Sequence, residues 1–425
     1  MRIRPISFGK YAAVVKNASY LTLFEILRMV MPFIALPYLM RTVGADNYGI
    51  VVYAQALVAC FILVVNFGLD ISAVKDVSMS RNDPHKLNEI VSSVLIIKAL
   101  LGLASFAVLT LLILTIPRMH RISLLLYFSF LACISDILLP VWYYQGKENM
   151  KLLTIVRFFS ITFYTVSIFI FIRSTNDYVY IPLLQSSGLI LSALISCYFV
   201  FVKDKIRFYI PPFGVVKQKF RESAPFFLSR ASLVINSYMA KIMSGWFLSW
   251  DDVAAFDIVQ KIYNGAMIPM QMFNQALYPN LAKSQDKQML SRSLGIVAIL
   301  TLAVACVIFL ISGIATDILS AGKTPQAGDI LRIMCLAIFM SGFSVFLGAS
   351  VLVSFGYQRP FNLSVILSTV ALLVCYVLMI LTDNNSIYLY ALTLVVAELV
   401  VVGYRFYYCR KYGLVKFKDL LLKKR

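Results

Sequence analysis

Apolar residues in this chain gather into twelve blocks, each about 20 residues long and separated by short polar links. A helix of that length, rising 1.5 Å per residue, crosses a ~30 Å hydrocarbon layer. Only a helix or a closed barrel satisfies its own backbone hydrogen bonds there. The blocks fall at 18–40, 49–71, 90–116, 122–144, 152–172, 179–202, 224–248, 254–281, 293–316, 329–355, 361–381 and 387–408. They predict an all-α membrane protein of twelve transmembrane helices. Hydrophobic residues make up 60% of the 425 positions, and no link is long enough to fold into an extramembrane domain. A water-soluble enzyme built on one core is excluded. Arg2, Arg4, Lys10 and Lys16 precede a first block too long for the apolar region of a signal peptide, so it reads as an uncleaved helix.

Charge orients the spans. The chain has 39 Lys and Arg against 20 Asp and Glu, for a net charge of +19. In a soluble protein that surplus would point to nucleic acid. Here 27 of the 39 bases lie in the termini and every second link, and 6 lie in the links between. The asymmetry places both termini in the cytoplasm and argues for no nucleic-acid partner. Arg405 is counted with the C-terminal tail. The 7 cysteines are scattered through apolar blocks, which argues against a disulfide framework or a metal site. No nucleotide-binding or hydrolase motif is present, so neither a cofactor nor catalysis is expected.

The longest link, 203–223, contains Pro211 and Pro212. It divides the chain into an N-terminal six-helix lobe (1–202), a cytoplasmic linker (203–223), a C-terminal six-helix lobe (224–408) and a basic tail (409–425). The first outer link, MRTVGADNYGIVVYAQ, and the stretch SGWFLSWDDVAAFDIVQK after the seventh span share a pattern: helix end, acidic turn, new apolar helix. That pattern suggests two halves in the same orientation. The 75–89 link and the tail from Arg405 have the mixed character of surface helices.

Ionisable residues inside spans are costly and must face protein, a wet cavity or the interface. The basic ones are Arg28, Lys98, Arg157, Arg230, Lys241 and Lys261; the acidic ones include Glu25, Asp70, Asp136, Asp257 and Glu398. A surplus of base suits an anionic substrate. The structural alternative is local pairing: Glu25 with Arg28, and Asp257 with Lys261, sit three and four residues apart. Lys98 and Arg157 are near enough to their span ends to snorkel. Arg28, Arg230 and Lys241 would together line a basic path. Asn236, Gln260, Asn264, Gln271, Asn274 and Gln275 are candidates either for facing a sugar or for bonding between helices. Pro32, Pro37, Pro225 and Pro269 interrupt spans. Trp246, Trp250 and the Trp142-Tyr143-Tyr144 run read as interface anchors.

Met31–Ser78 closely resembles the opening of Wzx-type O-antigen flippases, within the multidrug/oligosaccharidyl-lipid/polysaccharide exporter superfamily. The resemblance rests on an R-x-[VL]-G-x-x-x-[YF]-G turn (Arg41, Val43, Gly44, Tyr48, Gly49) and an F-G-[LF] ending (Phe67, Gly68, Leu69). Trp142–Gly146 with Lys151, and Leu277–Leu281, extend it along the chain. It implies a fold like that of the multidrug and toxin exporters (MATE-like), in the bacterial inner membrane. It also implies transfer of an undecaprenyl-diphosphate-linked repeat unit for lipopolysaccharide biosynthesis, by alternating access driven by a proton or sodium gradient. A polysaccharide polymerase and a chain-length regulator would be partners. Under this reading Arg28, Arg230, Lys241, Lys261, Lys98 and Arg157 are the candidate diphosphate ligands. Glu25, Asp70 and Glu398 are the candidate ion-coupling acids, though none sits in a diagnostic ion-site motif. Two alternatives stay open: a multidrug exporter of the same superfamily, and an O-antigen polymerase. The related lipid II flippase has helices beyond twelve.

Overall fold

A computed structural model describes residues 31–415, and every regular element in that range is helical. The predicted spans reappear as helices with shifted ends: Pro84–Thr115, Met150–Phe171, Ile181–Tyr198, Lys287–Ser320, Gln358–Leu381 and Ile387–Lys411. Their starts are written locally. Asp83 caps Pro84–Thr115 by accepting from the backbone N–H of His85 (3.1 Å) and Lys86 (3.2 Å), with Pro84 in the first turn. Asp286 caps Lys287–Ser320 through the Gln288 N–H at 2.8 Å.

Other spans are broken where apolar periodicity gives no warning. The second divides into Ala45–Asn66 and Leu69–Met79 around Phe67 (φ 41°) and Gly68 (φ 77°). A Cβ at Gly68 would lie 2.6 Å from the Ser223 carbonyl oxygen, and the Phe67 ring stacks on Phe220 at 4.2 Å. The fourth breaks at Leu139–Pro140 into Ser123–Leu138 and Val141–Gly146. The eighth divides at Met267 into Trp250–Ala266 and Ile268–Ser284, with Pro269 in the first turn of the new helix. Ala327–Val345 passes into the wider turn Phe346–Val353.

Among the described residues, 9 helical segments are long and apolar enough to cross a membrane. The twelve-span reading differs for three reasons. The first span lies largely outside the described residues, the seventh is rich in polar groups, and the eighth is broken. The 203–223 link also differs from expectation: it is helical from Phe213 on, where the 35-residue helix Phe213–Phe247 begins directly after Pro212. Trp142, Tyr143 and Tyr144 are not interface anchors. They are buried in a core with Leu69, Val91 and Val200, the Tyr143 hydroxyl donates to Asp204 (2.8 Å), and the Tyr144 hydroxyl donates to the Ser196 carbonyl (2.6 Å). Arg405, expected in a surface tail, is 5% exposed within the last helix.

The chain forms two compact units. Among the described residues, one combines 31–43 with Ala54–Ala231, and the other combines Gly44–Tyr53 with 232–415. The first is centred on apolar side chains of Leu69–Met79, Pro84–Thr115 and Val141–Gly146. The second is centred on Ile268–Ser284, Lys287–Ser320 and Ala327–Val353.

Candidate functional site

In the second unit the predicted basic residues Lys241 and Lys261 converge on one carboxylate. Lys241 Nζ donates to Asp257 Oδ1 at 2.7 Å. Lys261, one helical turn beyond Asp257, bonds Oδ2. The Tyr48 hydroxyl also donates to Oδ2, at 2.7 Å, and itself accepts from Lys261 Nζ at 2.5 Å. Side-chain exposure is 7% for Asp257, 10% for Lys241 and 26% for Lys261. One carboxylate therefore faces two ammonium groups, leaving a surplus positive charge, and Lys261 has the more exposed of the two lysine side chains. Backbone approach makes the cluster feasible. A Cβ at Gly49 would lie 1.9 Å from the Trp250 carbonyl oxygen, and one at Gly245 would lie 2.3 Å from the Tyr53 ring. Glycine at both places lets the start of Ala45–Asn66 close onto the helices carrying Lys241 and Asp257.

The same unit holds a cavity of about 250 Å3 lined by Asn236, Gln260, Tyr263, Asn264, Glu398 and Arg405, among others. Arg405 is firmly seated: Nε donates to Ser364 Oγ (2.8 Å), one terminal nitrogen donates to the Ser344 carbonyl (2.5 Å), and the guanidinium lies over the Phe361 ring at 4.7 Å. Glu398 lies beside Ser341, Ser344 and Tyr263, and its buried Oε2 has no hydrogen-bond partner. Gln260 donates to the Ser237 carbonyl at 3.1 Å and leaves its own Oε1 unbonded. Two buried acceptors on residues that line the cavity are thus left unpaired.

The structure brings three of the six amide candidates to that cavity. Asn236 is also tied to Ser368 and Thr369, each at 3.1 Å. Asn274 is instead a buried link, donating to the Met270 carbonyl and accepting from Ser350 Oγ at 2.7 Å. Gln271 and Gln275 are exposed.

The remaining candidates belong to the first unit or lie outside the described residues. Arg230 pairs with Asp70 at 2.5 Å, with Asp70 Oδ1 and Arg230 Nε left unbonded. Lys98 is almost fully buried and satisfied by the Asp136 carboxylate (3.1 Å) and carbonyl (3.0 Å). Arg157 is half-buried on Met150–Phe171. Glu25 and Arg28 lie outside the described residues. Of the motif residues, Arg41 is exposed, and Gly44 takes a left-handed φ of 83° at the turn into Ala45–Asn66.

Sequence reasoning treated Tyr48 as a turn residue and missed its place in the charge cluster. No local pattern reveals a hydrogen bond to a residue 209 positions away. It also missed Arg405, although the signal was present: Arg405 follows Glu398 by seven residues, two turns along one helix face.

Known proteins give the comparison. The family described as polysaccharide biosynthesis protein matches residues 14–285. A protein of Escherichia coli named as an O-antigen transporter is 23% identical over 353 residues, covering 82% of this chain and 85% of its own. One of Shigella dysenteriae bearing the same name is 26% identical over 277 residues, covering 65% and 69%. Among solved structures, the lipid II flippase MurJ in an inward closed conformation superposes with a TM-score of 0.70 at 14% identity, covering 94% of this chain and 89% of that one. An inward-facing multidrug resistance MATE family transporter of the MOP superfamily superposes with a TM-score of 0.67 at 15% identity, covering 91% and 98%. The chain is therefore a multi-pass all-α membrane protein with the fold of those transporters.

Proposed function

We propose, because the chain belongs to the polysaccharide biosynthesis protein family and carries a surplus-cation cluster on that fold, that it flips a lipid-linked polysaccharide repeat unit. The cargo is an undecaprenyl-diphosphate-linked O-antigen or related unit, and the direction is from the cytoplasmic to the periplasmic leaflet of the inner membrane. The mechanism is alternating access in a twelve-span, two-lobe protein with both termini in the cytoplasm. Resemblance to relatives named as O-antigen transporters supports the cargo.

The observation that carries the reading is the Lys241–Asp257–Lys261 cluster. A diphosphate entering a poorly solvated path gains most from ionic donors. Asp257 keeps the two ammonium groups in place without neutralising both. Lys261 is the one exposed enough to meet an anion, and Lys241 holds the carboxylate from the opposite side. Arg230 and Asp70 form a second pair through which a passing anion would compete for the guanidinium. Arg28, Lys98 and Arg157 complete the basic candidates, with Lys98 the most fully occupied by its own partner. Glu398, which lines the polar cavity and keeps a buried, unpaired oxygen, is our first candidate among the ion-coupling acids in the described residues. Asn236, Gln260 and Asn264 beside it are the amides in position to bond a hydroxyl-rich or hydrated ligand.

Deleting the gene in its native host tests the assignment. Surface polysaccharide should be lost while single lipid-linked units accumulate in the cytoplasmic leaflet, with the glycan identified by mass spectrometry. Units that reach the outer leaflet but stay unpolymerised would instead identify a polymerase. Unchanged surface polysaccharide with increased drug sensitivity would identify a multidrug exporter.

A further inference from the structure

Between the wide-turn helix Phe199–Lys203 and the helix beginning at Phe213, the chain runs without regular structure along the start of Pro84–Thr115. It is pinned there. Ile206 is 5% exposed within the core of the first unit, the Arg207 N–H donates to Asn88 Oδ1 (2.8 Å), and the Tyr209 N–H donates to Ser92 Oγ (3.1 Å). Asn88 and Ser92 are one turn apart on a single helix face. Pro211 is buried as well.

Pinning one side fixes what the other side presents. Phe208 is 54% exposed, Ile210 82% and Phe213 79%. A flexible polar loop would have no reason to hold three large apolar side chains outward. Around this ridge stand Lys203, Lys205, Arg207, Lys217 and Arg221, all exposed and, among the described residues, none within 4 Å of a carboxylate. Phe213, Lys217 and Arg221 repeat every four residues and so share one helix face. Lys217 and Arg221 also line a groove with Gly214, Gln218 and Glu222. The nearby acids are engaged elsewhere: Asp204 by Tyr143, Glu222 by Lys219 and Gln218, and Glu89 by the Tyr209 hydroxyl.

We infer that the Lys203–Arg221 segment is a lipid-docking element for anionic phospholipid. Phe208, Ile210 and Phe213 enter the headgroup region of the cytoplasmic leaflet, and the five cations take phospholipid phosphates. An apolar ridge beside bases that have no carboxylate partner among the described residues, Lys203 resting over the Phe199 ring at 5.1 Å, complements an anionic membrane surface, since apolar burial and electrostatic attraction act together there. A protein partner would leave the five cations in search of acids. This inference concerns the lipid environment and is independent of the cargo.

The test uses the full chain in phosphatidylcholine vesicles with and without phosphatidylglycerol. Phe213→Trp should add emission that is blue-shifted and quenched by brominated lipid chains, more strongly with phosphatidylglycerol present. Ile210→Ser in that background should weaken the quenching, and the exposure of Ile210 makes a folding defect an implausible cause. In parallel, phosphatidylglycerol should raise the thermal unfolding midpoint of the unsubstituted protein. That rise should be lost when Lys203, Lys205, Arg207, Lys217 and Arg221 are all changed to Gln. Added emission that is quenched by aqueous iodide and untouched by brominated lipid would overturn the inference. So would an equal rise in the Gln variant. Emission that follows protein-to-lipid ratio instead of lipid composition would assign the ridge to a second copy of the chain and also overturn it.

Discussion

Asp257 is the residue on which the charge cluster depends, and the arithmetic of buried ions decides how its removal behaves. Replacing it with Ala leaves two ammonium groups without their shared counter-ion. Breaking a buried pair this way costs about 3–5 kcal/mol, so Asp257→Ala should sharply reduce the yield of folded protein and its unfolding midpoint in detergent. Pairing Asp257→Leu with Lys241→Met should restore most of that stability while transport stays impaired. Lys261→Gln should lower transport with little loss of fold, because its side chain, 26% exposed, is the less buried of the two lysines and Lys241 still pairs with Asp257. Asp251, in the link between the seventh and eighth spans, adds a pH dependence. Burial, then its hydrogen bond to the Asp46 carboxyl, pushes it up to about 6 from 3.8. The native state therefore holds a proton that the unfolded chain releases, and stability falls as pH rises from about 4 to 6. Asp251→Asn should remove that slope and gain roughly 1 kcal/mol above the window, a figure discounted because the pair is partly exposed. Unfolding midpoints measured across the window check it.

Helix starts and close approaches carry the next scale, and three glycines there separate two causes of strain. Gly44 has a left-handed φ of 83° with open space around its Cβ position, so Gly44→Ala costs only the backbone penalty, about 1–2 kcal/mol. Gly49 has an ordinary helical backbone, but Ala there would put a Cβ 1.9 Å from the Trp250 carbonyl, which only movement of one helix relieves. Gly68 combines both problems, with a φ of 77° and a contact of 2.6 Å. Folded yield should therefore fall least for Gly44→Ala and most for Gly49→Ala and Gly68→Ala, as read by size-exclusion profiles of the tagged protein. The same elements show what was legible in the sequence. Long apolar blocks announced the helices because lipid enforces length and composition together. The breaks at Met267, two residues before Pro269, and at Phe67–Gly68, within the F-G-[LF] ending, were signalled by those residues, whereas the one at Leu139–Pro140 escaped inside an apolar run. Lys261 and Asp257 were legible as a pair by their four-residue spacing. Lys241 and Tyr48 were not, because only tertiary packing brings them to that carboxylate.

For the whole molecule, the distribution of positive charge makes a claim that local structure does not. With Arg405 left out, because the last helix buries it, 26 bases on one side against 6 on the other predict which links face the cytoplasm. The 203–223 stretch alone has six of them: Lys203, Lys205, Arg207, Lys217, Lys219 and Arg221. In contrast, the link containing Asp251 and Asp252 has no base; Ser249 caps the start of Trp250–Ala266, and both acids lie in its first turn. If the chain has twelve spans, a reporter fused after Lys16 should read cytoplasmic, one inserted at Asp251–Asp252 should read periplasmic, and one after Lys411 should read cytoplasmic. The middle reading is decisive because it depends on the seventh helix, Phe213–Phe247, which is too polar to qualify as a span on apolar length alone. A charged helix crosses a bilayer only when its ionic groups are matched within the protein. Arg230 paired with Asp70 and Lys241 paired with Asp257 supply that match. A cytoplasmic reading at Asp251–Asp252 would mean that this helix does not cross, and would remove both the twelve-span count and the two six-helix halves. A periplasmic reading, lost in a variant with Asp70 and Asp257 both changed to Ala, would show that the ion pairs permit the crossing.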